Sequence, residues 1–229
     1  MRRTIIVLGM HRSGTSCLAG ILENAGVDFG KVSTANEFNR KGNRENKRIL
    51  KLNDQVMTFN NGSWDNPPTE TRWPGHLKEE RDRILEEYNE SPVWGFKDPR
   101  VLFTLEGWLE AVRNVSFAGT FRHPGAVAQS LYKRNRFPFG KSLTLWKRYN
   151  AALLNYHKKY NFPMVSFDPA PAEYKDAIEK LLQLLDLGSR TEANEFYDHE
   201  LRHEENITLA DIPEDILDMY GELNRAAIT

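Results

Sequence analysis

The stretch from Thr4 to Gly26, TIIVLGMHRSGTSCLAGILENAG, constrains this chain more than any other. Four apolar residues, Ile5 to Leu8, lead into Gly9; Ser13-Gly14-Thr15-Ser16 follows, and then an apolar run with helical spacing. Strand, turn and helix in that order present backbone N–H groups to an anion, because the first-turn amides lack intrahelical acceptors and the helix dipole adds partial positive charge. The version that holds a nucleoside triphosphate ends Gly-Lys-Ser/Thr. Here Thr15 stands where that Lys belongs, and the loop's only long cation, Arg12, precedes the Gly. A plain helix start capped by hydroxyls has the same composition, so the loop needs corroboration.

A second motif supplies it. VSFAGTFRHPGAVAQSL runs an apolar strand into Arg122 and then a proline-started helix carrying Ser130, eight positions on. With a rise of about 1.5 Å per helical residue, a strand-end Arg and a Ser two turns into the next helix can converge on one anion. Taken alone, a surface ion pair and a solvated Ser explain the same residues.

Short apolar strands alternate with helical patterns along the chain, which predicts an α/β fold: a P-loop-like three-layer domain with a mainly parallel central sheet and helices on both faces. Strands are expected over 4–8, 93–97, 115–121 and 163–167, and helices over 16–25, 77–88, 124–131, 142–160, 174–187 and 213–223. Residues 1–229 read as one domain, with no internal repeat. The irregular stretches 32–46 and 59–74, rich in Asn, Gly and Pro, are where such folds carry ligands.

Charge narrows the partners. The 31 Lys and Arg nearly cancel the 32 Asp and Glu, so no overall field favours nucleic acid or an anionic membrane, and any anion site must be local. A lone cysteine, Cys17, forms no internal disulfide and reads as buried filler in the first helix. No apolar run is long enough for a signal peptide or membrane span, so the expectation is a soluble, cytoplasmic protein.

Together, Arg12-Ser13-Gly14-Thr15-Ser16 and the Arg122…Ser130 pair resemble the sulfotransferases that use 3′-phosphoadenosine 5′-phosphosulfate (PAPS). In that family the first motif binds the 5′-phosphosulfate and the second the 3′-phosphate. The missing Lys then makes sense, since there is no γ-phosphate or magnesium to hold. The loop is similar to that of a bacterial branch reading Gly-Met-His-Arg-Ser-Gly-Thr-Ser. That branch also has an Asn-x-x-Gly-x-x-Glu element (here Asn39, Gly42, Glu45), a Ser-Trp-Asp-x-Pro-Pro stretch (Ser63 to Pro68), a Lys-Asp-Pro-Arg (Lys97 to Arg100) and a late Leu-Arg-His (Leu201 to His203).

The resemblance implies transfer of a sulfuryl group to a carbohydrate or small-metabolite hydroxyl or amine, without a metal, leaving 3′-phosphoadenosine 5′-phosphate (PAP). It implies a donor site of Arg12, Ser13, Gly14, Thr15, Ser16, Arg122, Ser130 and Arg202, and places Lys97 beside the bridging oxygen. For the base, Glu45 is the first choice, with Glu37 and Asp98 as rivals. The Lys97 strand has neither a Glu before the Lys nor a His two residues after it, the positions that relatives use.

Several residues stay open. His11 and His123 flank the two motifs and could donate to phosphate or simply pack at strand ends. The string His199-Glu200-Leu201-Arg202-His203 matches the metalloprotease pattern His-Glu-x-x-His, but lacks a long apolar helix around it. Trp64, Trp73, Phe137 and Phe139 could stack on adenine or a sugar, or anchor loops. Lys133, Arg134, Arg136 and Lys141 could extend the 3′-phosphate site, greet an anionic acceptor or be a solvated helix end. A P-loop kinase is the rival reading. It would need a metal-binding carboxylate, for which Asp168 is the candidate.

Overall fold

The computed structural model describes residues 2–33, 42–188 and 212–228. Within them β1 (Arg3–Leu8), β2 (Val93–Lys97), β3 (Val115–Phe121) and β4 (Met164–Ser166) form one sheet in the order β2-β1-β3-β4, every neighbouring pair parallel. All four strands lie where the apolar runs predicted them. The continuous run Ile5 to Leu8 has its explanation in burial on both faces, the condition of a strand inside a parallel sheet.

Alternate side chains of β1 build separate cores. Ile5 and Val7 face α1 (Thr15–Asn24) and α7 (Pro171–Leu184), together with Ala118 and Val165. Ile6 and Leu8 face the opposite layer with Trp94, Phe96, Phe117 and Phe121. That layer comprises α2 (Lys47–Phe59), α3 (Gly75–Glu86), α4 (Val101–Leu109), α5 (Pro124–Asn135), α6 (Phe139–Tyr160) and α8 (Glu214–Ala226). Each aliphatic side chain fully buried here contributes about 1.5–3 kcal/mol. This is the expected three-layer α/β fold.

Two helices had no counterpart in the sequence reading. α2 starts at Asn46, whose side chain accepts from the Arg48 N–H at 2.9 Å. α4 follows Lys97-Asp98-Pro99-Arg100 directly. The helices foreseen are shifted at their ends: α5 continues to Asn135, and α6 begins at Phe139.

Strand order positions the site. The connection leaving β1 returns to the sheet on one side, as β2, and the connection leaving β3 returns on the other, as β4. The carboxyl ends of β1 and β3 therefore flank the crevice where open α/β sheets bind ligands. Among the described residues no helix is long and apolar enough to cross a membrane.

Candidate functional site

The loop between β1 and α1 crosses this crevice in close contact with its neighbours. A Cβ on Gly9 would lie 2.4 Å from the Thr120 carbonyl oxygen, so the loop backbone runs directly against β3. Thr120 Oγ1 donates to the Ser13 carbonyl at 2.9 Å and ties the two together. Arg12 (φ 67°) and Gly14 (φ 82°) are both left-handed, and a Cβ on Gly14 would meet the Phe167 ring at 2.4 Å. Left-handed residues within a turn aim successive N–H groups to one side and form an anion nest. No side chain caps α1, and the Ser13 hydroxyl is buried with no hydrogen-bond partner. Such a hydroxyl costs about 1–3 kcal/mol; an anion oxygen satisfies both it and the uncapped helix end.

The two sequence motifs meet. Arg12 Nε donates to Ser130 Oγ at 2.6 Å, across 118 positions of chain. Arg122, one residue past β3, holds its guanidinium 5.6 Å from the Phe167 ring centre, with Nε 3.9 Å from Asp168 Oδ1. Trp146 Nε1 fixes the Arg122 carbonyl at 2.9 Å. Burial, then the charges of Arg134 and Arg122, push the Arg12 guanidinium down to about 10. Three cations gathered so tightly repel one another, and an anion between them relieves the cost.

Beside the loop, Lys97 ends β2 and is buried. Its Nζ lies 2.7 Å from Glu45 Oε1 and 3.3 Å from Ser16 Oγ, which in turn donates to the Asn43 carbonyl at 3.1 Å. This pair joins the segment before α2 to the start of α1. Asp98 has a different setting: fully buried, it accepts from Asn53 Nδ2 at 2.9 Å and from the Arg100 N–H and Nη1 at 3.2 and 2.8 Å. Burial alone would lower the Arg100 pKa, but Asp98 and Asp54 outweigh it and hold it raised. Asp98 Oδ1 thus holds the β2–α4 turn and Oδ2 ties that turn to α2. Neither the backbone acceptor at Asn43 nor the Asn53 amide carries a sequence signal that would have marked it.

The histidines take unequal places. His123 caps α5, its Nδ1 accepting from the Gly125 N–H at 3.2 Å. Burial, with a smaller push from Arg122, lowers its pKa against the pull of Asp168. His11 meets Trp64 and Tyr149 edge-on at 5.0 and 5.7 Å, with Nε2 buried and unpartnered. Burial, then Arg100, Lys97, Arg134 and Arg12, hold its pKa well below the ordinary histidine value.

Trp64 also stacks on Phe137 at 5.5 Å, while Lys141 Nζ sits 3.9 Å over that ring and bonds Asp65 at 2.7 Å. Trp73 belongs elsewhere: it packs on Gly107 and Trp108 and donates to the Thr104 carbonyl at 3.2 Å. Phe139 is the first residue of α6 and half-exposed. Asp168 accepts from the His123 N–H at 2.7 Å and the Tyr220 hydroxyl at 3.0 Å, locking β4 to α5 and α8. Glu37, Asn39, His199, Arg202 and His203 lie outside the described residues. A cavity of about 740 Å³ between 68–73, α4 and α6 is lined by none of the loop, Glu45, Lys97 or Arg122.

Comparison of the sequence finds no matching protein-family model and no match among curated proteins. Among solved structures the chain is similar to the sulfotransferase domain from the curacin biosynthetic pathway, with a TM-score of 0.65 and 12% identity over 98% of each chain. It is also similar to the sulfotransferase domain from the Synechococcus PCC 7002 olefin synthase, with a TM-score of 0.64 and 12% identity over 97% of this chain and 95% of that one. The architecture, sheet and helices together, is the sulfotransferase α/β fold.

Proposed function

We propose that this chain is a sulfotransferase that moves a sulfuryl group from PAPS to a hydroxyl, or an amine, of a carbohydrate or other small metabolite. The observation that carries this reading is the bond between Arg12 and Ser130, with Arg122 close enough to perturb Arg12. The two anion-binding motifs share one crevice, as a donor with phosphates at both its 5′ and 3′ positions requires.

Each group then has a role. The loop N–H groups, Ser13 and Ser16 hold the 5′-phosphosulfate; Arg122, Ser130 and, by the family pattern, Arg202 hold the 3′-phosphate; Gly14 and Thr15 shape the turn. Glu45 takes the proton from the acceptor hydroxyl as its oxygen forms a bond to sulfur. The bond from sulfur to the 5′-phosphate oxygen breaks, and the negative charge left on the phosphate is met by Lys97, Arg12 and the loop amides. Asp98 acts at one remove, through the turn it holds.

A kinase reading would assign Asp168 to magnesium, yet its carboxylate is engaged by His123 and Tyr220. Calorimetric titration with PAP, and separately with ATP and magnesium, tests the choice. Metal-independent PAP binding that Arg122→Ala abolishes is the expected result. A preference for ATP with magnesium, or indifference to the 3′-phosphate, refutes the proposal.

A further inference from the structure

From Ala111 to Phe167 the chain contains no Asp or Glu and ten Lys or Arg, although its charges almost cancel overall. Three cations of this stretch find acids elsewhere: Lys147 pairs with Asp215, Lys158 with Glu222 and Lys159 with Glu106, while Arg148 bonds Asn66 and the Pro67 carbonyl and Arg113 lies exposed beyond α4. The turn between α5 and α6 adds a cation close to the loop. It presents Arg136 exposed, in a left-handed conformation (φ 56°), with its guanidinium 5.6 Å from the centre of the exposed Tyr132 ring. No carboxylate among the described residues pairs with Arg136. Arg134, two positions earlier, places its charge on both Arg12 and His11.

The turn is also fixed to the loop. Phe137 stacks on Trp64, and the edge of Trp64 meets His11, one residue before Arg12. The basic rim is therefore held beside the transfer site by packed rings. Both ends of the donor have their own cations in Lys97, Arg12 and Arg122, so the charge of Arg136 is one that the donor does not need.

From this surplus we infer that the acceptor is itself an anion: a hydroxylated small molecule bearing a carboxylate, phosphate or sulfate, whose charged group docks at Arg136. The inference rests on the sulfotransferase reading and narrows its acceptor. A rim charge of this kind acts by steering and orienting, and weakens as salt shortens its reach to about 8 Å at physiological strength.

The test uses the full chain, labelled donor and acceptors matched except for charge: phenol against 4-hydroxybenzoate, and glucose against glucuronate and glucose 6-phosphate. Arg136→Gly removes the charge and suits the left-handed backbone, and PAP titration is run on both proteins. The expected result is a preference for the charged member of each pair. In Arg136→Gly, KM rises about fivefold for the charged acceptors alone, as loss of a partly exposed ion pair predicts, while PAP affinity stays within about twofold. Equal or better use of the neutral members, or no transfer to any charged acceptor, overturns the inference. So does weakened PAP binding in Arg136→Gly, which would assign the turn to the donor. Failure of the unmodified protein to bind PAP at all removes the sulfotransferase reading, and the inference falls with it.

Discussion

Lys97 and Glu45 show what residue spacing conveys and what it leaves out. Each was legible as a candidate through the family resemblance, Lys97 at a strand end and Glu45 on the irregular segment after the first helix, but their 2.7 Å contact joins positions 52 apart. Only the folded chain brings them together. Lys97 is 2% exposed, so Glu45→Ala leaves an ammonium in the interior without its carboxylate. That change should cost about 3–5 kcal/mol, read as a fall in Tm, and PAP should restore more stability to this variant than to the unmodified protein. Glu45→Gln keeps a hydrogen-bond acceptor but cannot take a proton, so kcat should drop by about 10²–10⁴ with PAP affinity nearly unchanged. An unaltered kcat would remove Glu45 as the base. His11 gives a pH prediction of definite sign. Its folded pKa lies below its unfolded value, so the unfolded chain binds the extra proton first. Stability is then full above about pH 6.5 and falls as pH drops toward the folded pKa, by up to about 1.4 kcal/mol per pH unit. His123 adds a smaller term of the same sign. Tm measured from pH 8 to pH 5 should fall less steeply in His11→Gln than in the unmodified protein.

At the scale of elements, strands were easier to read than helices because parallel burial on both faces leaves short, nearly unbroken apolar runs. α2 escaped notice although Ile49, Leu52, Val56 and Met57 have helical spacing, because Asn53 sits on the same buried face. That Asn is buried to hold Asp98, Thr104 and Trp108 by hydrogen bonds, a demand that periodicity does not express. α4 was hidden for the opposite reason: Val101 to Leu109 is a short and mostly apolar run, which a buried strand also matches. The loop before α1 depends on both of its glycines. At Gly14 a methyl group would combine a strained φ with contact against the Phe167 ring. Gly14→Ala should therefore destabilise the fold by about 1–3 kcal/mol and abolish PAP binding, seen together as a lower Tm and loss of the PAP-induced shift. Retained PAP affinity in Gly14→Ala would show that the loop backbone is not the phosphate cradle.

Across the whole molecule, a mainly parallel sheet with helices on both faces follows from the alternation of apolar runs and helical patterns, whereas the order β2-β1-β3-β4 and the crevice it opens came only with the fold. So did the charge distribution, because a net charge of −1 conceals a cationic centre. Burial and the charges of Arg134 and Arg122 depress the tendency of Arg12 to stay charged, and the buried Ser13 hydroxyl and the uncapped α1 terminus add to the cost. On the proposed function, the fold carries this load where the phosphates of the donor would offset it, the usual exchange of stability for function. Arg122→Gln should therefore leave the unliganded protein at least as stable as before. Among the contacts of Arg122, the one to Asp168 is long, at 3.9 Å, the one to Phe167 is a ring contact that Gln can partly keep, and Asp168 retains its bonds to His123 and Tyr220. With PAP the order reverses. At about one hundred times its Kd a ligand adds about 2.7 kcal/mol, a gain the unmodified protein should show and Arg122→Gln should lose. Raising the salt should shrink that gain in the unmodified protein, since counter-ions screen the attraction between cluster and phosphate. Thermal melts of both proteins, with and without PAP, decide the matter: a variant less stable without PAP yet still stabilised by it would mean that Arg122 serves the fold rather than the donor.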